Sequence, residues 1–223
     1  IFVGPGGIAL VGNLRNFMTS LETVSTLGFQ NGIIKYIADY KDDADKRVKI
    51  IATVFYTLLA VAVVLSVLLF VFAEVLNRMV FGDDFQYASI FKVIALALPW
   101  YSVTVFMIAV INGLGKFKKV IYINIIGNLI GLFFSIYAVM HFHTFGALLS
   151  IVVPSALLFF AAFYHINREL PFFNSLSFSA FDPSMLRGMM SYALMALMSS
   201  VAGPLVYLAI RNNVIDMAGL KAA

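Results

Sequence analysis

The sequence contains no cysteine, so disulfides, thiolate metal sites and cysteine nucleophiles are excluded from this stretch. Charge is scarce as well. Only 12% of the 223 residues are Asp, Glu, Lys or Arg, against about 25% in an ordinary soluble domain. So few charges leave little with which to clothe a water-exposed surface. The three histidines, His141, His143 and His165, have no carboxylate arrangement or metal-ligand spacing around them. The glycines at positions 4, 6 and 7 surround Pro5 and lack the lysine and spacing of a phosphate-binding loop. Asp42, Asp43 and Asp45 are interleaved with Lys41, Lys46 and Arg47, the pattern of a solvated loop. No cofactor and no enzymatic constellation is expected from these residues.

What is abundant is apolar: 62% of the residues, with a mean hydropathy of +0.97. These residues fall in runs long enough to cross a hydrocarbon core, which takes about 20 mostly apolar residues in a helix. Six such segments are expected, at residues 8–36, 50–72, 87–112, 120–142, 146–167 and 185–210. Membrane barrel strands alternate over about 10 residues, and these segments do not. The expected fold is therefore an all-α, polytopic transmembrane helical bundle. The chain begins at Ile1, with no charged region or cleavage site before the first apolar run, and it reads as a fragment of a longer protein.

The connections carry an orientation signal. Lys41, Lys46, Arg47 and Lys49 lie in the first, whereas the second has Arg78 beside Glu74, Asp83 and Asp84. Lys116, Lys118 and Lys119 follow, then a turn near 143–146 without Lys or Arg, then Arg168 and Arg187. Short cytoplasmic loops hold the Lys/Arg excess. The connections near 41–49, 116–119 and 168–187 are thus expected on the cytoplasmic side. This alternation accounts for most of the formal charge of +4 without invoking nucleic acid. Residues 74–84 read as a short outer interfacial element, and the aromatic-rich 169–184 as an inner one, because aromatic side chains favour the headgroup level.

The first segment departs from the other five. Successive residues lie about 100° apart on a helix, which gathers Arg15, Asn16, Thr19, Ser20, Glu22, Thr23, Thr26 and Gln30 on one broad arc. Leu14, Phe17, Met18, Leu21, Val24 and Phe29 occupy the other. Such a helix either lies flat at the surface or crosses with its polar arc turned to a hydrated cavity. A surface helix is usually rich in Lys/Arg on its polar face; this arc is mostly neutral, which favours crossing. Arg15 and Glu22, seven apart, share a face. They are either a structural pair or part of an anion site, for which a guanidinium offers a permanent charge and a planar donor fork. Lys35 lies near the inner end of the same segment, Lys92 at the start of the third, and Arg211 at the end of the sixth. Pro99, Pro154 and Pro204 fall mid-segment, and Gly127 and Gly131 form a small-xxx-small pair of the kind that packs helices.

Gly4-Pro5-Gly6-Gly7, Gly12-Asn13-Leu14-Arg15-Asn16-Phe17, Gly28 and Asn31-Gly32-Ile33-Ile34-Lys35-Tyr36 closely resemble the start of the O-antigen and lipid III flippases. These form the polysaccharide branch of the multidrug/oligosaccharidyl-lipid/polysaccharide exporter superfamily. Weaker similarity continues through residues 112–115, 127–131, Pro154, 194–197, Pro204 and Arg211. The resemblance implies one lobe of a two-lobe transporter with a central cationic cavity and alternating access. Residues 1–223 would then be the N-terminal lobe, lacking most of the first family helix and the whole second lobe. It implies transport of an undecaprenyl-diphosphate-linked oligosaccharide from the inner to the outer leaflet of the bacterial inner membrane, with membrane lipids and envelope polysaccharide assembly proteins as partners. Arg15, Lys35, Lys92 and Arg211 coincide with basic family positions, and Asn16 and Thr19 stand beside the first as substrate-binding candidates. Glu22 does not fit every branch; it is a candidate ion-coupling carboxylate. Rival readings are a multidrug/cation antiporter, which favours acidic cavity residues, a membrane-embedded envelope enzyme, which needs a large polar loop with catalytic carboxylates, and a non-transporting scaffold.

Overall fold

A computed structural model describes residues 5–82, 87–170, 176–191, 193–195 and 198. Its elements run α1 (Pro5–Ser25), α2 (Gln30–Asp39), α3 (Ala44–Val71), α4 (Ala73–Phe81), α5 (Ala88–Gly113) and α6 (Phe117–Glu169), then a 3-10 turn (Phe178–Ala180). A further helix starts at residue 183. No strand occurs among the described residues, and the all-α membrane bundle expected from hydropathy is what forms.

Three of these helices, α3, α5 and α6, are long and apolar enough to cross a bilayer. At 1.5 Å per residue, the 53 residues of α6 would extend about 80 Å as one rod, far beyond the roughly 30 Å hydrocarbon core. The helix instead reverses at His143 (φ 50, ψ −124), giving two antiparallel limbs at 117–142 and 144–169. Close packing holds them together. A Cβ on Gly146 would collide with the carbonyl of Ala138, and one on Gly127 with Leu158, while Gly131 faces Pro154. The small-residue pair read from sequence is thus a limb-to-limb contact.

The expected single span at residues 8–36 is broken in two, and the chain itself explains why. The Gly28 amide donates to the Thr23 carbonyl and the Leu27 amide to that of Val24, both at 3.1 Å. This is the bond pattern that closes a helix with a left-handed residue after its last turn. Leu27 takes that conformation (φ 50), and Gly28 follows at φ 61. The chain then re-enters a helix at Gln30. α1 does not lie apart on the surface: Leu10, Leu14, Met18 and Leu21, three or four residues apart, are buried against the bundle.

The loops sort to two ends, as their charges predicted. At one end, Lys116 and Lys119 both pair with Glu169, the former at 3.5 Å. There too, the Tyr56 hydroxyl donates to the Leu176 carbonyl at 2.7 Å, and the Asp182 amide donates to the Thr53 hydroxyl at 2.8 Å. A Cβ on Gly113 would meet Ile37 at 2.7 Å, which brings the ends of α2 and α5 together. At the other end, the Tyr87 amide donates to Asn77 at 2.9 Å, and the Tyr87 ring stacks on Phe145 at 6.4 Å. Asn13 joins α1 to that end, donating to the Val80 carbonyl at 3.1 Å.

Each end has its own apolar cluster. Phe29, Ile33, Ile37, Ile51, Phe106 and Ile166 are among the members at the basic end; Leu14, Leu69, Phe91, Leu98, Leu148 and Val152 at the other. The α1–α2 break falls between them, which is why Phe29, assigned by periodicity to the apolar arc of α1, belongs to the opposite cluster. α5 is central and packs on α2, α3, α4 and α6. Bulky apolar side chains such as Val64, Val67, Phe70, Leu132, Phe133 and Phe160 remain exposed. Patches of that extent are not tolerated in water; they are the lipid-facing surface of a multi-pass membrane protein. The sixth expected span, residues 185–210, is helical over the part described, and its remainder lies outside the described residues.

Candidate functional site

A polar helix placed against apolar neighbours must dispose of its hydrogen-bonding groups, and α1 does so in two ways. Its hydroxyls turn back on their own helix: Thr19 donates to the Arg15 carbonyl at 3.0 Å, Thr23 to Thr19 at 3.1 Å and Thr26 to Glu22 at 2.8 Å. Such back-bonding satisfies the hydroxyl hydrogen locally. The remaining polar groups need partners elsewhere, or water.

Arg15, Thr19 and Glu22 find a cavity. It has a volume of about 600 Å³ and lies between α1 and both limbs of α6. Val11, Arg15, Met18, Thr19 and Glu22 form the α1 wall. Gly127, Asn128, Gly131 and Ser135 come from the first α6 limb, and Ser150, Pro154, Ser155 and Leu158 are among those from the second. The glycines keep the first limb's wall low, and the polar groups opposite α1 are neutral amides and hydroxyls.

Arg15 and Glu22 do not pair. Seven residues on a helix advance about 10 Å along the axis, and Arg15 forms no ion pair with any described residue. Glu22 instead lies beside the Tyr101 hydroxyl of α5, with which it interacts electrostatically. The guanidinium is therefore an exposed cation at the cavity wall, while the carboxyl lies beside the core helix. In a low-dielectric surround the field of such a cation is far stronger than in bulk water. A cation free of ion pairs among the described residues, set with amides, hydroxyls and, two turns along its own helix, the Glu22 carboxyl, can hold an anionic, hydroxyl-rich molecule at its Arg15 end.

The other residues singled out from sequence lie elsewhere. Asn16 is exposed on α1 and does not line the cavity. Lys35 is exposed on α2, beyond the break and in the basic half. Lys92 stands over the Phe70 ring at 5.8 Å, a cation–π contact between α5 and α3. Arg211 lies outside the described residues, as does Pro204. Sequence reasoning missed Tyr101 as the partner of Glu22, and it missed the α6 wall. The wall was partly visible: Gly127, Gly131 and Ser135 recur every four residues on one face, with Asn128 three before Gly131, and the glycines signal packing alone. No group of metal-ligating side chains occurs among the described residues.

A model of the family described as polysaccharide biosynthesis protein matches residues 1–222. Among curated proteins, the lipid III flippases of Escherichia coli K12 and Shigella flexneri are each 25% identical to the chain over 212 residues. The matches cover 94% of this chain and 50% of each relative, so the chain spans about half the length of the curated relatives it matches. No solved structure matches.

Proposed function

The chain belongs to the polysaccharide biosynthesis protein family, and on that premise we propose that it is the N-terminal lobe of a flippase for a lipid-linked oligosaccharide. The observation that carries the proposal is the cavity of about 600 Å³ between α1 and α6, with Arg15, which forms no ion pair among the described residues, on one wall and neutral polar groups on the other. A lipid-linked sugar diphosphate requires a cation for phosphate, polar groups for sugars and an apolar exterior for the chain. The similarity to lipid III flippases supports the same substrate class. The role is transport rather than catalysis.

In this reading the substrate is an undecaprenyl-diphosphate-linked oligosaccharide, moved from the inner to the outer leaflet of a bacterial inner membrane by alternating access. The basic end, carrying residues 41–49, 116–119 and 168–187, is the cytoplasmic one by the Lys/Arg rule. Arg15 contacts the diphosphate, with Thr19 beside it. Arg211, which lies outside the described residues, and Lys35 are the next candidates for substrate contact. Glu22, beside Tyr101, is the carboxylate available for coupling to an ion. The affinity of the two end states must stay comparable, because a ligand shifts a conformational equilibrium only by its differential affinity. A cation-drug antiporter, which would rely on Glu22, is disfavoured by the Arg15 cation on the same wall.

Arg15→Ala and Arg15→Lys in the full-length protein, with expression matched, test the assignment by the amount of surface polysaccharide exported. Loss in Ala is expected, with partial recovery in Lys because the point charge remains without the planar fork. Wild-type export in both variants would remove Arg15 from the mechanism.

A further inference from the structure

We propose that Asn128, Ser135, Ser150 and Ser155 form a carbohydrate subsite that reads the sugar portion of the transported lipid, separately from the phosphate contact at Arg15. This rests on the flippase reading above and adds residues on α6 that recognise substrate.

The argument begins with where α6 puts its polarity. On its first limb, Ile125, Leu129, Leu132, Phe133 and Ile136 are exposed and do not line the cavity. Gly127, Asn128, Gly131 and Ser135 line the cavity. An amide and a hydroxyl in a spanning helix are expensive toward lipid, and here they line the cavity. The second limb faces them with Ser150 and Ser155.

The hydrogen-bonding state of these groups suits a polyol. Ser150 donates to the Ala147 carbonyl at 2.7 Å and Ser155 to the Ile151 carbonyl at 3.3 Å. Both hydroxyl hydrogens are thus used within the helix, and each oxygen keeps acceptor capacity. Pro154 has no amide hydrogen, so the Ser150 carbonyl lacks the donor its fourth neighbour would supply. Ser150 itself lines the cavity wall. Asn128 contributes two donors and an acceptor. A sugar hydroxyl both donates and accepts, so it fits between these sets. The volume of about 600 Å³ lies in the about 300–1,000 Å³ range of small-molecule sites, fit for a saccharide headgroup and not for a long isoprenoid chain. Val11, Met18 and Leu158 offer apolar surface for the C–H face of a ring.

The test uses the full-length protein in proteoliposomes with two probes: undecaprenyl diphosphate carrying an oligosaccharide, and bare undecaprenyl diphosphate. Losing one or two net hydrogen bonds of about 1 kcal/mol each weakens binding by about 5- to 30-fold. Asn128→Ala with Ser135→Ala is expected to weaken binding of the glycosylated probe to that extent and to leave the bare diphosphate unchanged. Asn128→Gln and Ser135→Thr, which keep the polar groups and guard against a folding artefact, should retain a preference for the glycosylated probe. Equal weakening of both probes, or no change in either, overturns the subsite while leaving the role of Arg15 standing. A wild-type protein that binds both probes equally does the same. A wild-type protein that binds neither overturns the flippase reading and the subsite together.

Discussion

Pro99 in α5 and Pro154 in α6 make the same chemical cut in two helices, and the surroundings treat them oppositely. Proline withholds the amide that would bond the carbonyl four residues earlier. At Pro99 the freed carbonyl is that of Ala95, in the apolar cluster, and the Ser66 hydroxyl of α3 donates to it. At Pro154 the corresponding carbonyl is that of Ser150, on the cavity wall. One site is closed by a neighbouring helix because no water or ligand reaches it. The other lies on the wall of the cavity between α1 and α6. The difference separates polarity closed inside the fold from polarity left at a cavity, although the two prolines look alike in sequence.

The largest expected effect breaks the closed site. Ser66→Ala leaves the Ala95 carbonyl without a donor in the core, at a cost of about 1–3 kcal/mol, visible as a lower melting temperature in detergent. Adding Pro99→Ala returns an amide donor and should recover most of the loss; additive losses in the double variant would refute the pairing. Next is the α1–α2 break. Gly28→Ala places a side chain at φ 61, worth about 1–2 kcal/mol of strain, and should lower thermal stability without touching a cavity residue.

Smaller still is the tie at the basic end, where Lys119, by its hydrogen bond, and then Lys116 hold the Glu169 carboxyl below its ordinary 4.5. A carboxylate with a lowered folded value stabilises fully above the ordinary value and loses that contribution as the pH falls through the folded one. Acidification through that window should lower the melting temperature by more in wild type than in Glu169→Gln, by up to about 1 kcal/mol equivalent, the range of exposed pairs. The smallest stability effect is expected at the open site. Pro154→Ala gives the Ser150 carbonyl its amide and should leave the melting temperature unchanged or slightly raised, while transport falls. A large loss of stability would mean that Pro154 serves packing against Gly131 instead.

Much of the fold was legible in the residues. Lys/Arg placement, rich at 41–49, 116–119 and 168–187 and poor at 74–84 and 143–146, predicts which connections share an end, because insertion responds to local hydropathy and Lys/Arg placement. Leu14, Met18 and Leu21 were readable as a buried face from their spacing. The break at Leu27–Gly28 was harder to see. Leu in a left-handed conformation is not a sequence signal, and only the packing of two separate clusters explains why the strain is accepted.

By itself, the sequence determined that this is a helical membrane protein, which connections share an end, and that residues 8–36 carry an unusual polar face. These are sums over neighbouring residues, so composition and period suffice. The tertiary structure decided which polar groups meet. Arg15 and Glu22 share a face yet stay apart, Glu22 goes to Tyr101, 79 positions onward in the chain, and Asn128 and Ser150 face α1 across one cavity. Those outcomes depend on how each helix is rotated about its axis and on the reversal at His143. Both are set by packing between segments distant in sequence, and no local pattern encodes them.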